Sequence, residues 1–205
     1  EICACLVGSE MCIRDRFKCD FIYWINTELL SSSVNKIYKR GLITELYPEN
    51  MSFGEDLVFV LNYLKHCNRI SFTQEPLYQH EVYNSVSLTH SFSPARFSNL
   101  EDIQKAILDF ADDKNKINPR IYDKYVKDAL HLTRMWYKNK NVPYIRKKEI
   151  IGEWLKQSYI RKLKISDYQL HWKDRMLLHS LHMSCFIGIN WIVNGKEYIN
   201  SLSKE

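Results

Sequence analysis

Glycine and proline are scarce, six and five among 205 residues, which excludes collagen-like and coil-rich architectures. Hydrophobic residues make up 45% and charged residues 26%, too apolar a balance for an intrinsically disordered chain. There is no internal repeat and no low-complexity tract. Residues 1–16 lack a basic stretch followed by an apolar core, and so carry no recognisable secretory signal. Four of the six cysteines, Cys3, Cys5, Cys12 and Cys19, crowd the first 19 residues. Their C-x-C-x6-C-x6-C spacing contains no paired C-x2-C knuckle, and it matches no structural zinc site. Cys67 and Cys185 then read as buried thiols of a reducing compartment.

The stretch CLVGSEMCIRDR, Cys5 to Arg16, resembles a translated sequencing-adapter remnant, so residues 1–16 are expected to be non-native and the natural sequence to begin near Phe17. Two regions follow. Residues 17–93 read as α/β. A strand is predicted near 20–25 (FIYWI), then a short amphipathic helix closed at Gly41, a helix over 55–67 and a strand over 69–73. Gly54, Glu55 and Asp56 stand at the amino end of the 55–67 helix, where its dipole favours negative charge. Residues 94–205 read as helical. Ser98 and Glu101 form a capping box ahead of an apolar run, and further helices are predicted at about 119–138, 143–157 and 167–193.

Charge is unevenly placed along the chain. From Lys138 to Arg175 there are eleven Lys or Arg against four acids, while the whole chain carries a net +5. A basic block beside a near-neutral body suits a polyanionic neighbour such as an anionic lipid surface or nucleic acid; a solvated helix face explains it equally. The apolar run from Met176 to Val193 directly follows, with Trp154, Trp172 and Trp191 as interfacial anchors. Its histidines, serines and asparagine point to a buried or interfacial helix rather than a membrane-spanning one.

The ordered segments NKIYKRGLI, FGEDLVFVLNYL, RISFT and EPLYQHEVYNSVSLTH over 35–89 resemble the second half of the catalytic domain of bacterial family-two glycosyltransferases. Asn35, Lys36, Tyr38, Glu55, Asp56, Pro76, Leu77, Tyr78, Ser85 and Ser87 carry the resemblance. It implies the acceptor-side half of a Rossmann-like glycosyltransferase A domain, followed by a mostly helical tail. It also implies inverting transfer of a sugar from a nucleotide-sugar donor to the hydroxyl of a saccharide or lipid-linked acceptor, in cell-surface polysaccharide synthesis. Such a displacement needs a base for the acceptor proton as C1 becomes cationic. The resemblance gives that role to Asp56, with Glu55 orienting beside it. Read without the resemblance, the two acids simply complement the helix dipole. Asn35, Lys36, Tyr78, His80, Ser85 and Ser87 are the corresponding substrate-binding candidates, Tyr78 offering a flat face for a sugar.

No D-x-D motif occurs in the chain. A divalent cation, Mn or Mg, is expected in the complete enzyme and none on this chain alone. The nucleotide-binding half is expected upstream, so the chain by itself is expected to be inactive. The expected location is cytoplasmic, peripheral on the inner face of a membrane. Two other readings compete: a helical scaffold, or a nucleic-acid-binding protein using the 138–175 block. The second lacks a helix-turn-helix signature or zinc finger, and nucleic acid is not among the expected partners.

Overall fold

The computed structural model describes residue 17, residues 20–71, 78–79 and 93–202, the last seven by backbone only. The chain divides into two compact units, 1–91 with 102–121, and 92–101 with 122–205. The stretch 102–121, which the sequence assigns to the helical tail, thus belongs with the first unit.

In the first unit, α1 (Phe21–Asn26) buries Phe21 and Ile25. A single 3₁₀ turn follows at Arg40–Leu42, then α2 (Glu55–Lys65). Gly54 caps α2 in the left-handed conformation, φ 75°, where a side chain is strained. A Cβ there would also overlap the Ile103 side chain, so backbone conformation and packing both demand glycine. Leu57, Phe59, Val60 and Leu61 form the buried side of α2. The helix α3 (Ala95–Phe110) begins in the second unit and supplies Ile103, Ile107 and Phe110 to the core of the first. The Phe110 ring lies 4.9 Å from that of Phe21 and meets Phe17 edge-on at 6.3 Å. A short α4 (Asp113–Lys116) follows, capped by the Asp112 carboxylate, which accepts from the Asn115 backbone N–H at 2.8 Å.

The second unit is built on α5 (Asp123–Lys138), which packs on α6 (Tyr144–Gln157), α7 (Trp172–His182) and α8 (Phe186–Leu202). The strongly amphipathic α5 buries Tyr125, Val126, Ala129, Leu130, Leu132, Thr133, Trp136 and Tyr137, the three-to-four spacing of a core-facing helix. The buried Lys147 ammonium donates to the Tyr137 carbonyl at 2.7 Å, closing the last turn of α5. The helices α7 and α8 form a hairpin. Its corner residue Ser184 is left-handed, φ 54°, and Gly188 lets the two helices approach: a Cβ there would lie 3.0 Å from Ser180 Oγ.

Several expectations are corrected. Among the described residues there is no strand and no sheet, so the α/β, Rossmann-like half is not what this chain forms. In place of the strand near 20–25, Phe21–Asn26 is helical because Phe21 and Ile25, four apart, bury one side of a helix; a short apolar run does not distinguish the two states by itself. Arg69 to Ser71 are irregular, and the rest of the predicted 69–73 strand lies outside the described residues. Instead of a helix ending at Gly41, residues 34–39 are a turn and irregular chain, and the Lys36 ammonium folds back onto the 29–35 loop. The predicted cap Ser98 is inside α3, donating to the Ala95 carbonyl at 2.7 Å. The expected 167–193 helix is broken at Ser184. Cys67 is buried as predicted, whereas Cys185 is exposed at the hairpin corner. Among the described residues, no helix is long and apolar enough to cross a membrane.

Candidate functional site

The first unit brings together residues that are far apart in sequence. The α1 helix ends at Asn26 and the chain turns through Glu28, left-handed at φ 63°, whose carboxylate accepts from Ser31 Oγ at 2.7 Å. The following loop closes around Lys36. Its ammonium donates to the Leu29 carbonyl at 2.8 Å, to Asn35 Oδ1 at 2.7 Å and to the Ser32 carbonyl. An ammonium has three protons, so these three acceptors account for its donors. Burial pulls the Lys36 pKa down from 10.5 to about 8, and the negative charge of Asp56 works in the opposite direction.

Asp56 occupies the second position of α2 and is half-buried. Its Oδ1 accepts from the buried Ser33 hydroxyl at 2.7 Å, a charge-assisted bond that ties the loop to the helix. Tyr38 completes the cluster. Its hydroxyl donates to the Ser33 carbonyl at 3.0 Å and its ring meets Phe59 and Tyr63 edge-on at 5.2 Å and 4.9 Å. Burial pushes the Tyr38 hydroxyl well above its ordinary range. The result is a carboxylate at a helix amino end, oriented by one hydroxyl and flanked by a desolvated cation.

Of the predicted site residues, Asn35, Lys36 and Asp56 therefore share one cluster, and Glu55 sits half-buried beside Asp56 at the start of α2. Tyr78 is exposed, in an irregular segment. His80, Ser85 and Ser87 lie outside the described residues. Ser33 was not singled out by the sequence; the polar SSS run at 31–33 is its only signal, and nothing in it marks the third serine as the partner of Asp56.

A second polar cluster belongs to the other unit. The Glu101 carboxylate accepts from Tyr125 Oη at 2.5 Å, Trp154 Nε1 at 2.7 Å and the Tyr159 backbone N–H at 3.3 Å. Tyr125 Oη also lies 2.7 Å from Ser158 Oγ. Burial raises the Glu101 pKa and these hydrogen bonds partly oppose it. The predicted helix-cap acid is thus an internal acceptor joining α3, α5, α6 and the turn after α6.

Among the described residues, no group of three or more His, Cys, Asp or Glu is placed to hold a metal ion. Glu55 and Asp56 are neighbours with one carboxylate oxygen engaged by Ser33, and they do not make up a Mn or Mg ligand set. Compared with family models, curated proteins and solved structures, the chain matches none.

Proposed function

We propose that this chain carries the acceptor-activating part of a glycosyltransferase that moves a sugar from a nucleotide-sugar donor to an acceptor hydroxyl with inversion. One observation supports the reading above the others. Ser33, two residues ahead of the motif segment that starts at Asn35, donates to Asp56 of the second motif segment at 2.7 Å, and Lys36 of the first lies within the electrostatic reach of the same carboxylate.

In this reading Asp56 is the general base. Ser33 fixes Oδ1, and Oδ2 receives the proton of the acceptor hydroxyl as its oxygen attacks C1. The bond from C1 to the donor phosphate oxygen breaks, its electron pair leaves with the nucleoside diphosphate, and the configuration at C1 inverts. Glu55 orients the acceptor. Lys36 shapes the loop rather than gripping a phosphate, because its protons are held by Leu29, Ser32 and Asn35. The acceptor is a saccharide or a lipid-linked saccharide, and the donor-binding residues, with any Mn or Mg, are assigned to the rest of the gene product.

The test is Asp56→Asn in that gene product, which keeps the shape and the Ser33 contact and removes the proton acceptor. Transfer is expected to fall by roughly 10²–10⁴-fold. Turnover near the wild-type rate would reject Asp56 as the base.

A further inference from the structure

We infer that the corner of the α7–α8 hairpin docks on the surface of an anionic phospholipid bilayer. Apolar side chains stand out from this hairpin where packing would otherwise cover them. Met183, at the end of α7, exposes 63% of its surface, and Ile187 and Trp191, four residues apart on α8, expose 79% and 57%. On α7, Trp172 and Met176 are 58% and 40% exposed. Elsewhere on the same hairpin Leu177, Leu178, Leu181 and Ile189 are buried. Isolated apolar residues are ordinary at a protein surface, whereas several exposed together on the two helices of one hairpin mark a contact.

The charge around this run identifies what it contacts. Arg161 is held at the corner by donating to Ser184 Oγ at 3.0 Å. The Lys148 ammonium sits 5.6 Å over the Phe186 ring at the start of α8, and that of Lys173 sits 5.3 Å over Trp172. Three of the four acids in the 138–175 block are neutralised locally: Glu149 pairs with Arg146 at 3.0 Å, Glu153 with Lys156 at 2.6 Å, and Asp174 with Arg134. Lys148 and Arg161 thus stand beside the exposed apolar corner, and Lys173 at the far end of α7, with these three acids already paired to other cations.

Exposed Met183 and Ile187 beside the Lys148 and Arg161 cations, with Trp172 and Trp191 exposed on the two helices, fit a headgroup layer, which offers hydrocarbon below and phosphate around it. Nucleic acid would satisfy the cations and leave Met183 and Ile187 in water. No described helix is long and apolar enough to cross the bilayer, so the hairpin lies on it. The surface is remote in sequence from Asp56 and its docking does not depend on the transfer chemistry.

The test is sedimentation of the full chain with vesicles of phosphatidylcholine alone and of phosphatidylcholine mixed with phosphatidylglycerol, at low and high salt. Binding is expected to the mixed vesicles only, weakening with salt. Lys148→Gln and Arg161→Gln should each lower the partition coefficient about 5-fold, as expected for loss of one basic contact. Ile187→Glu should lower it further while leaving the urea unfolding midpoint unchanged, since Ile187 is exposed. Three results would overturn the proposal: equal recovery in all four supernatants, vesicle binding untouched by these substitutions, or a lipid-free dimer that Ile187→Glu dissociates. The last would assign the face to a second copy of the chain.

Discussion

Replacing Gly54 with alanine probes the geometry that places Asp56. The left-handed backbone at φ 75° costs a non-glycine residue about 1–2 kcal/mol. The new Cβ would stand 2.7 Å from Ile103 Cγ1 and overlap its terminal methyl, and Ile103 is itself buried. Relieving such an overlap in a packed core costs about 1–3 kcal/mol. Gly54→Ala should therefore destabilise the fold by ~2–5 kcal/mol, a large part of the ~5–15 kcal/mol that holds a typical domain. In urea, followed by tryptophan fluorescence, that corresponds to a midpoint lowered by about 1–2 M. Two further variants separate the causes. Gly54→Asn tolerates the left-handed backbone better and retains the overlap, so it should be the milder variant. Ile103→Ala combined with Gly54→Ala removes the overlap, and the pair should be less destabilised than the sum of its parts by at least ~1 kcal/mol. A loss below about 0.5 kcal/mol for Gly54→Ala, or strict additivity of the pair, would refute this account of how α2 begins.

Two more predictions concern buried charge. Glu101→Leu leaves the Trp154 and Tyr159 donors without their acceptor and should cost ~2–5 kcal/mol, seen as a lowered urea midpoint, while Glu101→Gln keeps an acceptor oxygen and should cost less. Because burial raises the Glu101 pKa above 4.5, its contribution to stability is full below that pH and declines as pH rises through the folded-state value; Glu101→Gln should abolish this decline, and an unchanged acid limb of the stability curve would count against it. Lys36 has the opposite slope. Its folded pKa of about 8 lies below 10.5, so the unfolded chain holds more protons in that window and stability should rise with pH across it. In Lys36→Met that rise should vanish, and parallel curves for the two proteins would contradict the burial of the ammonium.

The sequence made some of this legible and hid the rest for physical reasons. The start of α2 was readable because a glycine, two acids and an apolar stretch agree locally. The cluster around Asp56 was half readable: Asn35, Lys36 and Asp56 came from a motif, but two acceptors of the Lys36 ammonium are backbone carbonyls, which leave no trace in residue identity. FIYWI was misread because an apolar run of that length fits a strand or a helix equally. Ser98 and Glu101 have the spacing of a capping box, yet α3 starts at Ala95 and tertiary donors claim Glu101. The break at Ser184 was hidden too, since serine seldom adopts a left-handed backbone and the flanking residues continue a helical pattern.

If Asp56 takes the acceptor proton, as proposed, and does not bind the donor, replacing it should slow transfer and leave donor binding intact. Nucleotide-sugar affinity and single-turnover sugar transfer, measured side by side for the wild-type gene product and for Asp56→Asn, separate the two roles. Donor affinity should be unchanged within about 2–3-fold and transfer slowed by roughly 10²–10⁴-fold. Transfer at the wild-type rate, or a loss of transfer matched by an equal loss of donor affinity, would contradict it.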